Sequence, residues 1–165
     1  MVDADFGENR PGKHIVMFEL ELKNPEEISI KVKDRTINVN VAQSALTANE
    51  LEVGRIVGPG EFEIGEATIA GVATEGGVIY RVEIGGVKIG LVGQVEKVDG
   101  LDELGPVDIL GTFSTKVVSL VEPKIVIPMG NMDYTEVKAE VRQDRKLKIK
   151  NEGALPTVME IWKLD

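Results

Sequence analysis

Four close pairs of carboxylates are the first residues in this chain that could do chemistry: Glu19 with Glu21, Glu26 with Glu27, Glu61 with Glu63, and Asp102 with Glu103. Residues two apart on a strand share a face, so Glu61 and Glu63 could hold one cation or divide the roles of acid and base. The chain carries 28 acidic against 19 basic residues, a net charge of −9, and in such a sequence paired carboxylates also arise simply as wet strand faces. The single histidine, His14, has no second imidazole with which to build a catalytic zinc site of three protein ligands. Cysteine is absent, which excludes disulfides, thiol catalysis and thiolate metal sites. None of Ser29, Ser44, Ser114 and Ser119 lies in a Gly-x-Ser-x-Gly elbow, so serine-hydrolase chemistry is not expected.

Glycine and basic residues allow two further readings. Gly58-Pro59-Gly60, followed by Gly65, invites a phosphate loop, but no Gly-Lys-Ser/Thr ending and no helix follow it. It reads instead as a turn between strands. Arg142, Arg145, Lys146, Lys148 and Lys150 form the one basic cluster. Alternation with Leu147 and Ile149 makes it the wet face of a strand, or a docking patch for an acidic partner or RNA. The overall negative charge repels a phosphate backbone, and Trp162, Phe113 and Tyr134 are too scattered to make a base-stacking platform, so nucleic-acid binding is not expected.

The elements that must position these residues are mostly strands. Apolar alternation over residues 15–22, 28–33 and 36–41 predicts a three-stranded meander, with turns at Asn24-Pro25 and Asp34-Arg35. Residues 42–51 are rich in helix formers and predict a first helix. Further strands are expected over 61–64, 67–72, 78–84 and 87–92, the last two joined at Gly85-Gly86 as a hairpin. A polar loop or single helical turn over 97–105 precedes a strand at 107–110. A short helix over 114–121 stops before Pro123, a β-branched strand follows at 124–128, and a helical turn is expected over 134–141. Closing strands are expected at 146–150 and 158–164, giving roughly ten strands and two or three short helices. Residues 1–13 are expected to form a flexible leader and residues 14–165 a single domain. The polar, acidic first eleven residues do not read as a secretory signal and no apolar run approaches the roughly 20 residues of a membrane span. A cytoplasmic location without membrane contact is therefore expected.

From Gly58 onward the sequence resembles the metallo-β-lactamase-fold proteins, in the branch of ascorbate-6-phosphate lactonase-like, zinc-dependent hydrolase-like sequences. Gly58-Pro59-Gly60-Glu61-Phe62-Glu63-Ile64 is similar to that branch's GPGEYEV segment, and Val78-Ile79-Tyr80-Arg81-Val82-Glu83-Ile84 to its TIYRIEI. LDELGPVDIL at 101–110 resembles LEELGxVDVL, and VEPKIVIPM at 121–129 is the most specific match. The resemblance covers residues 42–165, and the chain looks shorter than a family member in its helices and loops. It implies two mixed sheets flanked by helices, and hydrolysis by a metal-activated hydroxide.

Carried over position by position, the family's metal ligands do not recur. Its His-x-His-x-Asp-His loop falls on Gln43-Ser44-Ala45-Leu46-Thr47-Ala48-Asn49-Glu50, and a further histidine falls in Thr74-Glu75-Gly76. Its bridging aspartate falls on Gln94 and its last histidine on Gly130. Gln94, Gly130 and Glu75 are thus the degenerate site positions, with Glu61, Glu63 and Asp133 the alternative ligand candidates at the old site edge. The resulting expectation is an α+β, β-rich αββα sandwich with reduced helices. It would be a non-catalytic module without metal or other cofactor, acting through a protein partner or self-association. The alternative is a metal-dependent hydrolase-like enzyme or ligand-binding protein that uses those carboxylates.

Overall fold

The computed structural model describes residues 17–43, 45–48, 55–57, 59–74, 77–93 and 100–165. In chain order the first strands are β1 (Phe18–Asn24), β2 (Glu27–Val32), β3 (Arg35–Asn40), β4 (Ala45–Ala48) and β5 (Arg55–Val57). There follow β6 (Gly60–Ile64), β7 (Ala67–Thr74), β8 (Gly77–Ile84), β9 (Val87–Val92) and β10 (Ile109–Thr112). After helix α1 (Thr115–Val121) come β11 (Ile125–Pro128), β12 (Glu140–Asp144), β13 (Lys146–Ile149) and β14 (Glu160–Leu164). Two short 3-10 turns occupy Leu101–Leu104 and Glu152–Ala154.

The strands make two sheets. A six-stranded sheet has the order β13-β1-β2-β3-β4-β5, and all its pairings are antiparallel. Its β1–β2–β3 part is the meander read from the alternation, with Leu20, Ile28, Ile30, Ile37 and Val39 fully buried on one face. The opposite face carries Glu19, Glu21, Ser29, Lys31, Thr36 and Lys146, polar residues that favour water. An eight-stranded sheet has the order β12-β14-β11-β10-β9-β8-β7-β6. Strands β9, β10, β11, β14 and β12 run parallel, while β6, β7 and β8 are antiparallel.

Burial follows from these faces. One apolar cluster takes Phe18, Leu20, Ile28 and Ile30 from the first sheet and Ile69, Tyr80, Val82 and Ile89 from the second. A second cluster lies on the other side of the eight-stranded sheet, where Val117 and Val118 of α1, with Leu104 and Val107, cover Ile79, Leu110, Val126 and Ile161. Helix α1 ends at Glu122, which takes a left-handed backbone (φ 53°), as the residue before Pro123 cannot continue a helix. No helix among the described residues is long and apolar enough to cross a membrane.

Three expectations are corrected. The helix predicted over 42–51 is strand β4 at its centre: Leu46 is buried and pairs with Val39, and sheet pairing outweighs the propensity of Ala45 and Leu46. The helical turn predicted over 134–141 is a tight turn, with the Val137 N–H on the Tyr134 carbonyl at 3.0 Å, followed by β12. The described residues hold fourteen strands, one α-helix and two 3-10 turns, against the roughly ten strands expected. The expected leader lies outside the described residues.

Candidate functional site

The parallel strands β9, β10, β11 and β14 all end at the same side of the molecule, where the turns after β1 and β3 also lie. Open sheets of this kind bind ligands beyond the carboxyl ends of their strands. Backbone contacts hold this end together. The Gly130 N–H, past β11, donates to the Pro25 carbonyl at 2.8 Å, and the Val41 N–H donates to the Glu26 carbonyl at 2.9 Å. Gly93, just past β9, approaches the other sheet so closely that a Cβ there would lie 2.9 Å from the Val41 carbonyl oxygen.

A groove of about 510 Å³ opens here, with Leu22, Pro25, Pro128, Met132 and Leu164 as its apolar walls. Its polar lining comes from Asn24, Asn131, Tyr134, Lys163 and Asp165, and Gly130 lies in the same wall. Lys163 Nζ stands 3.6 Å from Asp165 Oδ2, and Gln143 Nε2 donates to Asp165 Oδ1 at 2.8 Å. Asn24 is committed to its own turn, accepting the Glu26 N–H at 2.9 Å and donating to Glu27 Oε1 at 3.3 Å.

Asp133 is the one carboxylate candidate near this groove. Its Oδ1 accepts the Thr135 N–H at 3.0 Å and the Thr135 hydroxyl at 2.8 Å, and these two bonds hold its carboxyl below the ordinary carboxylate range. Its backbone carbonyl accepts the Thr115 hydroxyl at 2.6 Å, which ties the loop to the start of α1. The side chain is therefore used as a turn cap.

The remaining sequence candidates lie elsewhere. Glu61 and Glu63 do share one exposed side, as their spacing required, but on β6, the terminal strand of the eight. Five strand steps, about 24 Å at the usual spacing, separate β6 from β11, so these carboxylates do not meet Asp133 or Gly130. Glu75, Gln94 and His14 lie outside the described residues. Among the described residues, no three His, Asp or Glu side chains converge where a metal ion could be held. Sequence reasoning missed Asn24, Asn131, Lys163 and Asp165. They come from three separate segments, Lys163 and Asp165 sharing one strand end, and no local spacing signals that the three meet.

The comparisons with known proteins bear on the fold. A crystal structure from Thermotoga maritima, described as a candidate Zn-dependent hydrolase of the metallo-β-lactamase superfamily, superposes with a TM-score of 0.65. The match covers 88% of this chain and 97% of that one, at 15% identity. The chain shares the fold of that structure. No protein-family model and no curated protein sequence matches the chain.

Proposed function

We propose that this chain is a metallo-β-lactamase-fold module of the ascorbate-6-phosphate lactonase-like branch that has lost its metal ligands. It works in the cytoplasm as a protein-interaction or structural subunit rather than as an enzyme, with residues 14–165 as one αββα domain of reduced helices. Gly130 carries this reading. It stands where the family resemblance puts the last metal-binding histidine, and it offers no donor atom. Its backbone is left-handed (φ 57°), and a Cβ there would lie 3.2 Å from Phe113 Cδ1. That turn is shaped for glycine, and a histidine would enter it only with backbone strain. The described residues at this end do not fit a zinc centre, and no catalytic step is derived through one.

Elemental analysis of protein purified without chelator or tag histidines tests the reading. The expected content is less than about a tenth of an equivalent of Zn, Mn or Fe, with no hydrolysis of lactone or ester substrates. One equivalent or more, with turnover, would overturn it.

The groove beside Gly130 favours a second reading, a ligand-binding or hydrolase-like protein that uses carboxylates such as Asp133. Titration with divalent cations separates the two, because a stoichiometric ligand raises the melting temperature.

A further inference from the structure

Three terminal strands have described side chains: β6 and β12 in the larger sheet and β13 in the smaller. A terminal strand turns half of its backbone N–H and C=O groups away from its neighbour, where a further strand can take them. When that strand is the same edge of a second copy, a two-fold axis relates the pair. Residues on one face then meet residues of the same face in reverse order. Charge decides which edges tolerate this. Glu61 and Glu63 share the exposed face of β6, so a second β6 brings carboxylate against carboxylate. Lys146 and Lys148 share the outward face of β13, so a second β13 brings ammonium against ammonium.

Strand β12 alternates in sign instead, and all five of its residues are exposed. Its register with β14 puts Glu140, Arg142 and Asp144 on the side of Glu160 and Trp162, towards a groove of about 470 Å³ that Asp144 and Trp162 help to line. Arg142 already pairs with Glu140 at 2.7 Å and Glu160 at 3.3 Å. Along β12 and β14 this face therefore sets Glu140, Asp144 and Glu160 beside one cation, Arg142. An added strand must bring cations opposite Glu140 and Asp144, and no further cation opposite Arg142.

A second β12 meets those demands in the antiparallel register centred on Val141. Glu140 then meets Arg142 of the copy, Arg142 meets Glu140, and Asp144 meets Lys138. Lys138 is exposed between Val137 and Ala139, which pack on the second apolar cluster, so it turns to the same side as Glu140. Centred on Arg142, the register would instead set the two guanidinium groups together and Glu140 against Asp144. The opposite face agrees. Val141 lies opposite Ile161 of the second cluster, yet 52% of its surface is exposed. In the Val141-centred register it packs on Val141 of the copy. We propose that two copies of this chain pair antiparallel through β12, centred on Val141, and join their eight-stranded sheets into one. This pairing rests on the interaction-module reading for its role and names a second copy as the partner.

Sedimentation equilibrium of the intact chain, 17.9 kDa, should show a reversible rise towards twice that mass with concentration. Arg142→Glu and Glu140→Arg each set like charges across the axis and should weaken association at least about ten-fold. The double variant Glu140→Arg with Arg142→Glu in one chain should restore it, as should an equimolar mixture of the two single variants. Val141→Lys sets two ammonium groups on the axis and should dissociate the pair. Val141 is half exposed, so this variant keeps the fold where a charge reversal beside Glu160 fails to, and thermal melts check each variant. The chain has no cysteine, so a single thiol reports the register. A short bifunctional thiol reagent should join Val141→Cys to its copy. It should not join Gln143→Cys, whose two thiol positions lie about 14 Å apart in this register.

A parent chain that stays monomeric even at ~1 mM overturns the proposal. So does a dimer that survives Arg142→Glu, Glu140→Arg and Val141→Lys alike, or one cross-linked through Gln143→Cys and not through Val141→Cys. The outcomes are separable from the module reading. A metal-free, inactive monomer keeps that reading and loses this contact, whereas a metal-loaded, active dimer keeps the contact and loses the reading.

Discussion

The backbone N–H of Gly130 donates to the carbonyl of Pro25 at 2.8 Å, and this bond joins the end of β11 to the β1–β2 turn of the other sheet. One wall of the larger groove is therefore a backbone clasp between sheets. Gly130 takes a positive φ of 57° at this bond, so the chain turns back from the clasp in a left-handed conformation.

Gly130→Ala is accordingly expected to destabilise the fold by about 1–2 kcal/mol, the cost of placing a Cβ in a left-handed conformation. Gly130→Asn should cost less, because asparagine tolerates that region. Gly130→His should lose stability like alanine and gain none on addition of zinc. Chemical denaturation with and without metal measures all three.

Gly93→Ala tests the closeness of the sheets. The new methyl group would meet the Val41 carbonyl at 2.9 Å, and that oxygen belongs to backbone that cannot swing aside. A loss of about 1–3 kcal/mol is expected, as for overpacked interiors. A denaturation midpoint equal to that of the parent would contradict the contact.

Asp108 joins three parallel strands at their starts. Its Oδ2 accepts the Lys88 N–H at 2.9 Å, its carbonyl accepts the Lys124 and Ile125 N–H groups at 2.9 and 3.0 Å, and Lys124 Nζ lies 3.6 Å from Oδ1. Asp108→Ala leaves the Lys88 N–H without its acceptor and should cost about 1–3 kcal/mol. Asp108→Asn keeps an acceptor oxygen and should recover most of that loss in the same unfolding assay.

Stability should depend on pH at two ends of the scale. The Thr135 hydrogen bonds lower the Asp133 carboxyl below its ordinary 3.8, so its contribution is present above pH 3.8 and is lost as pH falls through the folded-state value. Burial raises the Tyr80 phenol above 10.0, so its contribution is complete below pH 10.0 and is lost as pH rises through the folded-state value. Thermal melts across pH should show Asp133→Asn flattening the acid limb and Tyr80→Phe the alkaline limb.

Core truncation sets the scale for these effects. Leu20 is fully buried between the sheets, and Leu20→Ala should cost about 2–5 kcal/mol. Val158, 72% exposed, should change stability by less than about 0.5 kcal/mol as Val158→Ala.

The meander was legible in the sequence because its side chains alternate between a dry and a wet face, and each of Leu20, Ile28, Ile30, Ile37 and Val39 lies on the side the alternation required. The hairpin at Gly85-Gly86 was legible for a different reason: both residues adopt positive φ, 55° and 85°, which a tight turn of this kind demands. Strand β12 was not, since all five of its residues are exposed and its pairing with β14 runs through backbone groups that leave no side-chain pattern. Glu61 and Glu63 show the limit at the site. Their spacing placed both on one side of a strand, but spacing carries no information about how many strands lie between β6 and β11. Lys163, Asn24 and Asn131 form one groove only after three distant segments meet, and each reads alone as an ordinary wet residue.

The pairing of β13 with β1 also has a consequence for how the protein is made. Lys146 meets Glu21 across about 125 residues of chain, whereas the other neighbours in that sheet follow one another closely. At about 5–20 residues per second, a nascent chain presents the free edge of β1 for several seconds before its partner leaves the ribosome. During that interval the meander is an incomplete sheet whose open strand can pair with a neighbouring nascent chain. The β13 segment, made long after β1, therefore acts as the cover that ends this exposure, and polysome crowding should favour aggregation more strongly than crowding of the finished protein.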